Sequence, residues 1–118
     1  MFNITVNISV VLTDLSTKTE EIEEIQSITD KCDFSYIDKY GSNVHIHIYK
    51  DGLCIDKKGK DYSLELHSYG DCYAKIETLE GIIKLDAKVV DFFTKDDILV
   101  MRYVIDETER EIKIIYRS

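Results

Sequence analysis

The chain has 118 residues and a mass of 13.7 kDa, the size of one domain with one hydrophobic core. Hydrophobic residues make up 44% and charged residues 32%, which excludes a disordered chain or an acidic tail. The formal net charge of -8 argues against binding nucleic acid or anionic lipid by counterion release. We therefore predict a single domain over residues 1–118, with neither nucleic acid nor membrane as a partner.

Features that would direct the chain out of the cytoplasm are absent from the sequence. Its longest uninterrupted apolar run, residues 98–101, is far shorter than the roughly 20 residues of a membrane span. The N-terminus has neither the basic nor the apolar region of a signal peptide. Three cysteines without C-x-x-C spacing do not make a disulfide framework. We predict a cytoplasmic protein with reduced thiols.

Most of the chain alternates apolar and polar residues with a period of two, which is the pattern of half-buried β-strands. The first such run begins at Phe2 and Ile4 and extends to Leu12, with Val11 as its one exception. The last two runs, 99–105 and 112–116, are predicted to form a hairpin across the polar segment 106–110. Between these ends, further runs occupy residues 44–49, 64–67 and 83–89, and glycine-containing turns punctuate the chain at 40–43, 51–52, 58–59, 69–71 and 79–81.

Residues 19–29 allow two interpretations. The sequence Thr17-Lys18-Thr19-Glu20 resembles a capping box, and Ile22, Ile25 and Ile28 recur every third residue, as in a short acidic helix. The β-branched isoleucines and threonines favour extended chain. We favour a strand and leave the helix open.

The number and spacing of these runs predict the architecture. Eight to ten short strands joined by tight turns, without helical patterns between them, indicate an all-β protein. We predict an antiparallel up-and-down β-barrel rather than a sandwich, because closure removes both exposed sheet edges. Such a barrel places the first strand beside the last.

Two stretches carry a resemblance to a known family. Residues 52–60, Gly-Leu-Cys-Ile-Asp-Lys-Lys-Gly-Lys, form an apolar strand entering a basic glycine turn, and residues 76–81, Ile-Glu-Thr-Leu-Glu-Gly, precede the later strands. From Leu53 to the C-terminus the chain resembles the YwiB-like family of small bacterial proteins. The resemblance implies a calycin-type, lipocalin-like β-barrel with no assigned reaction. Where the family has arginine before the turn glycine, this chain has Lys57 and Lys58, which lack the planar fork that binds a carboxylate bidentately.

The predicted barrel interior is one candidate binding site. Small barrels are either filled by side chains or enclose one small ligand, and both alternatives remain open here. A tyrosine hydroxyl in a cavity needs a partner, which is another residue, a water or a ligand. The inward-phase candidates for lining a ligand cavity are Phe34, Tyr36, Met101, Tyr103 and Tyr116.

The outward positions of the same strands are unusually apolar. They form a predicted patch on neighbouring strands, consisting of Val11, Ile82, Ile98, Val100, Val104 and Ile115. Apolar patches of this kind usually mark interaction sites, so we predict a homodimer or protein-partner face. A loop that covers these residues is the alternative.

Two histidines are the sharpest local signal for a metal. His45 and His47 are two residues apart on a predicted strand, so both rings project from one face and offer two nitrogen ligands. A third ligand would come from elsewhere, such as His67, Cys54 or an acid. The same two positions also fit an ordinary solvent face. No cysteine or serine stands in a nucleophile motif, so we predict no catalytic residue.

We therefore predict a non-enzymatic binding module without a cofactor. It takes a small apolar ligand inside the barrel or a protein, including a second copy, on its outer face. The alternative is a metal-dependent or lyase-type enzyme that uses His45 and His47 at the barrel mouth, and a third possibility is a purely structural subunit.

Overall fold

The computed structural model describes residues 6–28, 30–68 and 72–117. Over these ranges the chain forms ten β-strands and no helix. In chain order the strands are β1 (Val6–Asp14), β2 (Thr19–Ile28), β3 (Asp33–Ile37), β4 (Asn43–Ile48), β5 (Leu53–Lys58), β6 (Tyr62–His67), β7 (Tyr73–Thr78), β8 (Gly81–Lys95), β9 (Ile98–Ile105) and β10 (Thr108–Arg117). The predicted strand positions Phe2 and Ile4, residue 29 and the predicted turn at 69–71 lie outside the described residues.

All ten strands belong to one antiparallel sheet, in the order β2-β1-β10-β9-β8-β7-β6-β5-β4-β3. Strands consecutive in the chain are hydrogen-bonded neighbours with the single exception of β2 and β3, and β1 also pairs with β10. The sheet is a nearly closed up-and-down barrel, which confirms the predicted fold class and the position of the first strand beside the last. We call the boundary between β2 and β3 the seam.

The ambiguous segment 19–28 is a strand, which confirms the favoured interpretation. Its pairing with β1 shifts register between Val6 and Ile8, whose partners on β2 are Ile28 and Ile25. This β-bulge explains the three-residue spacing, because the extra residue lets Ile25 and Ile28 both reach the core. A helical face is not needed to bury them.

The long strand β8 carries the sheet from one side of the barrel to the other. Its first part pairs with β7 up to Asp86, and its second part pairs with β9 from Ala87 onward. The predicted hairpin of the last two strands is confirmed, but its connection is only the two residues Asp106 and Glu107, both with positive φ. The rest of the predicted polar segment, including Arg110, belongs to β10.

The alternating apolar residues fill a single core inside the barrel. Side chains from β1, β4, β5, β9 and β10 are almost completely removed from solvent, and they are Ile8, Val10, Ile46, Leu53, Met101, Ile112 and Ile114. Burial of these aliphatic groups is the main favourable term for such a fold. The core therefore holds the two sides of the sheet together where the seam leaves the ladder open.

Side chains bridge the seam near one end of the barrel. The turn between β3 and β4 contains Lys39 and Tyr40, and it lies against β2. The Lys39 backbone N–H donates to Oε1 of Glu23 at 3.0 Å, and the Tyr40 hydroxyl donates to Oε1 of Glu21 at 3.0 Å. Two glutamates thus replace part of the missing strand pairing.

Candidate functional site

A cavity of about 310 Å³ opens at one end of the barrel. The side chains that line it come from the C-terminal ends of β1 and β3 and from the N-terminal ends of β2 and β4, together with neighbouring strands. The inner part is apolar and is lined by Leu12, Val44, Ile46, Ile55, Leu64, Leu66, Tyr103 and Ile112. The outer part, which we call the rim, carries Asp14, Thr19, Glu21, Glu23, Asp38, Lys57 and Arg110.

The rim residues stand in inward phase on their strands, except for Asp38, which follows the end of β3. Glu21 and Glu23 pair with Leu12 and Val10 of β1, both of which face the interior. Arg110 is two residues before the buried Ile112 and lies opposite both Asp14 and Tyr103. Polar side chains are tolerated at these positions because water reaches the open end of the barrel.

Asp38 and Lys57 form an ion pair at the rim. Nζ of Lys57 lies 2.9 Å from Oδ2 of Asp38, and Oδ1 accepts hydrogen bonds from the backbone N–H groups of Tyr40 and Ser42. Burial acts to raise the pKa of Asp38, but the Lys57 ammonium and these backbone donors outweigh it and lower that pKa. For Lys57, burial acts to lower the pKa, and the Asp38 carboxylate outweighs it and raises the pKa. Both groups are therefore charged at neutral pH.

The other charged rim groups form no ion pair with any described residue, although Glu21 and Glu23 accept the hydrogen bonds across the seam. Asp14 accepts hydrogen bonds from the backbone N–H groups of Ser16 and Thr17, and these bonds stabilise the turn after β1. Arg110 makes no hydrogen bond or ion pair with any residue that the structure describes. Its guanidinium is thus one cation at a rim that also carries the carboxylates of Asp14, Glu21 and Glu23.

Two tyrosine hydroxyls complete the cavity. Tyr36 and Tyr103 both line it, and neither hydroxyl is hydrogen-bonded within the described part of the chain. Burial raises the pKa of Tyr36, and the charges of Glu23 and Asp38 add to the effect. Burial also raises the pKa of Tyr103. Both side chains are neutral O–H groups at physiological pH and can donate to a ligand or a water.

The five predicted cavity residues occupy different places. Tyr36 and Tyr103 line the cavity, whereas Phe34 and Met101 are buried in the core beyond its lining. Tyr116 packs against the core, and its hydroxyl donates to the Lys31 carbonyl oxygen at 3.1 Å.

Sequence reasoning missed the charged rim. Arg110 and Lys57 each lie two residues from an inward-facing isoleucine, Ile112 and Ile55 respectively. Because side chains two residues apart on a strand share a face, this spacing could have predicted that both cations point inward. Glu21 and Glu23 gave no comparable signal, because only the register of β2 with β1 determines which face of β2 points into the barrel.

The predicted outer patch is only partly continuous. Cross-strand register brings Ile98 opposite Ile115, while Val11 and Val100 both lie opposite Lys113. Val100 is 5% exposed, since Phe93 lies opposite it on β8 and Lys113 on β10, whereas Ile98 is 39% exposed.

The remaining two predicted patch residues lie apart from this group. Val104 sits between the charged Lys88 and Glu109. Ile82 pairs with Glu77 in the first part of β8, and Ile98 pairs with Lys95 at the far end of that strand. The structure therefore brings together Val11, Ile98, Val100 and Ile115 without the other two.

His45 and His47 lie on the outer face of β4 and share one carboxylate. Nε2 of His45 is 2.5 Å from Oδ1 of Asp33, and Nδ1 of His47 is 2.8 Å from Oδ2 of the same residue. These hydrogen bonds, first from His45 and then from His47, lower the pKa of Asp33. Neither histidine lines the cavity, so the predicted position at the barrel mouth is not the one the structure shows.

Groups able to hold a metal ion cluster instead on the neighbouring strands. Among the described residues, Asp56, Glu65 and His67 each offer a ligand atom within 4.8 Å of the others. Cys54 is on the same face, and burial together with the Asp56 charge raises the pKa of its thiol. This thiol is therefore protonated at neutral pH and does not act as a ready nucleophile.

The strand order and the open cavity define a nearly closed ten-stranded antiparallel barrel with space for a small molecule. A crystal structure of the YwiB protein from Bacillus subtilis matches this chain with a TM-score of 0.57 and 12% sequence identity. The match covers 97% of this chain and 89% of that one. At this identity it shows a shared fold, and it extends the resemblance to the half of the chain before Leu53.

Comparisons at the level of sequence add nothing to the fold match. No family model matches the chain, and no curated protein does. Within the described residues there is no helix of the length and hydropathy that a membrane crossing requires.

Proposed function

We propose that this protein binds a small molecule in the barrel cavity and has no catalytic role of its own. The observation that carries this proposal is the combination of an apolar inner wall with three polar groups that have no hydrogen-bond partner among the described residues, namely the Tyr36 and Tyr103 hydroxyls and the Arg110 guanidinium. Ligand sites typically pair an apolar lining with a few oriented polar groups, and they occur in the mouths of β-barrels. A cavity of about 310 Å³ is at the small end of their usual range.

The rim favours one kind of ligand head group. Its carboxylates, Asp14, Glu21, Glu23 and Asp38, outnumber its cations, Lys57 and Arg110, by four to two. Glu111 also borders the cavity, but its carboxylate accepts a hydrogen bond from Arg102. The excess of negative charge attracts an ammonium group and repels a carboxylate. We therefore propose an aliphatic or aromatic ligand with a cationic or neutral hydrogen-bonding end.

The two free hydroxyls support the same orientation. Tyr36 and Tyr103 both line the cavity next to rim residues, since Tyr36 is two residues before Asp38 and Tyr103 lies opposite Arg110. Neither hydroxyl is sealed from water, since no buried polar side-chain atom of the described residues lacks a hydrogen-bond partner. Each can accept a hydrogen bond from an ammonium group or donate one to a neutral acceptor on the ligand. In the unliganded protein we expect water at these groups.

A displacement assay tests the proposal. The neutral dye N-phenyl-1-naphthylamine becomes fluorescent in apolar surroundings. We expect saturable binding at one site. We also expect octylamine to displace the dye at a concentration at least tenfold lower than octanoate, which differs in the charge of its head group.

A matched pair of variants localises the binding. Leu64→Trp adds an indole to the cavity wall and should abolish dye binding. Ile82→Trp adds the same group to an exposed position outside the cavity and should leave binding unchanged. Absence of saturable binding to the wild-type protein, or equal effects of the two substitutions, would overturn the proposal. Displacement by octanoate at the lower concentration would reject the proposed head-group preference.

A further inference from the structure

We propose that the outer face of β5 and β6 binds a divalent transition-metal ion, of which Zn²⁺ is the best fit, through Asp56, Glu65 and His67. This site is on the opposite side of the sheet from the cavity. It also differs from the pair of histidines on β4, which share Asp33.

The pairing of two strands creates the ligand set. Glu65 and His67 are two residues apart on β6, so both side chains leave the same face of the sheet. Asp56 lies directly opposite Glu65 on β5. One donor atom from each residue lies within 4.8 Å of the other two. A tetrahedral Zn²⁺ with bonds of about 2.0–2.2 Å holds its donors roughly 3.4 Å apart, a small inward movement for these side chains.

The electrostatics of this face favour a bound cation. Asp56 and Glu65 are like charges in directly opposed positions, an arrangement that destabilises a sheet when nothing neutralises it. Neither carboxylate is in an ion pair with any described residue. Lys75 lies opposite Glu65 on β7, and Lys58 lies two residues after Asp56 beside the same groove, but neither lysine forms an ion pair with Asp56 or Glu65. A divalent ion between the carboxylates would neutralise this repulsion.

The imidazole selects the class of metal. His67 stacks on Tyr73, with ring centroids 4.6 Å apart and planes tilted by 14°, and this contact orients the ring. Nitrogen with carboxylate oxygen suits zinc and related ions, whereas Ca²⁺ and Mg²⁺ prefer ligand sets made of oxygen alone. All three ligands are half-buried, and an open groove beside Asp56 and Glu65 gives an ion a route from solvent.

Two further groups stand close to the ligand set. His45 lies opposite Asp56 on β4, and Cys54 lies opposite His67 on β5. Either supplies a side chain of a type that zinc accepts at a fourth position.

Calorimetric titration of the untagged full chain with ZnCl₂ tests the site. We expect one equivalent to bind, and we expect His67→Gln and Glu65→Gln each to weaken the affinity at least tenfold. His47→Gln is the matched control, since it removes an imidazole from the same face of the sheet, and it should change the affinity less than twofold. Far-UV circular dichroism of each variant verifies the fold, and Glu65→Gln preserves side-chain shape if the histidine variant is unstable.

Three results would overturn the inference. Failure of the wild-type protein to bind Zn²⁺ at one saturable site would reject the proposed metal site. A loss on His47→Gln with no loss on His67→Gln would assign the ion to the histidines of β4 instead. Equal affinity for CaCl₂ and ZnCl₂ would reject the transition-metal class.

Discussion

The Lys57 ammonium and the Asp38 carboxylate, 2.9 Å apart, connect the end of β5 to the turn that follows β3. That turn also supplies the Lys39 and Tyr40 groups that reach the glutamates of β2 across the seam. One ion pair therefore positions both the rim of the cavity and the side chains that bridge the open edge of the barrel. The Lys57 and Asp38 side chains are 20% and 6% exposed, so loss of this ion pair lowers the stability of the folded protein.

We predict that Asp38→Asn destabilises the protein at neutral pH by about 2–3 kcal/mol, because it leaves a largely buried ammonium without its partner. The pKa of Asp38 is lowered from 3.8, so its contribution to stability is complete above that value and is lost as the pH falls through the lower folded pKa. The free energy of unfolding, measured in urea from pH 7 down to pH 2, should therefore differ less between variant and wild type at the acid end. A difference that is constant with pH would contradict this account.

The contribution of Lys57 to the free energy of unfolding should have the opposite dependence on pH. The pKa of Lys57 is raised above 10.5, so its contribution is complete below that value and is lost as the pH rises through the folded pKa. The two single variants and the double variant Asp38→Asn/Lys57→Met provide a thermodynamic cycle at pH 7. We expect the double variant to cost less than the sum of the single variants, because each single change strands the other group.

Gly52 packs against the backbone of the residue that follows β6. A Cβ atom at this position would overlap the Ser68 carbonyl oxygen, and Ser68 is tied to Leu53 by hydrogen bonds from both its N–H and its hydroxyl. We predict that Gly52→Ala costs about 2–3 kcal/mol, since the backbone cannot move away. Urea unfolding measures this cost.

Gly41→Ala is the control for that measurement. Gly41 has a φ of +82° and open space around the added Cβ atom, so alanine there pays only the conformational cost of about 1 kcal/mol. A cost at Gly41 equal to or larger than that at Gly52 would show that steric overlap with Ser68 is not the dominant effect.

Self-association through the outer face remains a prediction, and the structure identifies the substitution that tests it. Ile98→Glu places a charge at a 39% exposed position, so it should change the free energy of unfolding by less than about 0.5 kcal/mol. If this face joins two copies, light scattering should give a dimer for the wild-type protein and a monomer for this variant. Ile82→Glu, at a 60% exposed site apart from the face, should remain a dimer. A monomeric wild-type protein at high concentration would refute the interface.

Period-two alternation was enough to predict most of the strands and their inward faces, although β3 and β7 were not among the predicted runs. The closure of β1 on β10 was predicted from a different argument, the removal of exposed sheet edges. Core positions such as Ile46 and Ile112 follow directly from alternation, because an apolar residue between two polar neighbours on a strand points to the opposite face from them, into the core. The β2 segment was harder. Its isoleucine spacing contains a bulge, and a bulge is not visible until the partner strand is known.

Local sequence patterns thus specify which face of a strand is buried. Which residues of two strands face each other depends on register, bulges and turn lengths, and these are set only when the chain folds. Asp56 and Glu65 are ordinary acids until β5 pairs with β6 and sets them opposite each other. Glu21 and Glu23 look like solvated charges until β2 turns them toward the open end of the barrel. Hydrophobicity cannot encode such positions, because water at a barrel mouth lets polar and apolar side chains share the inner face.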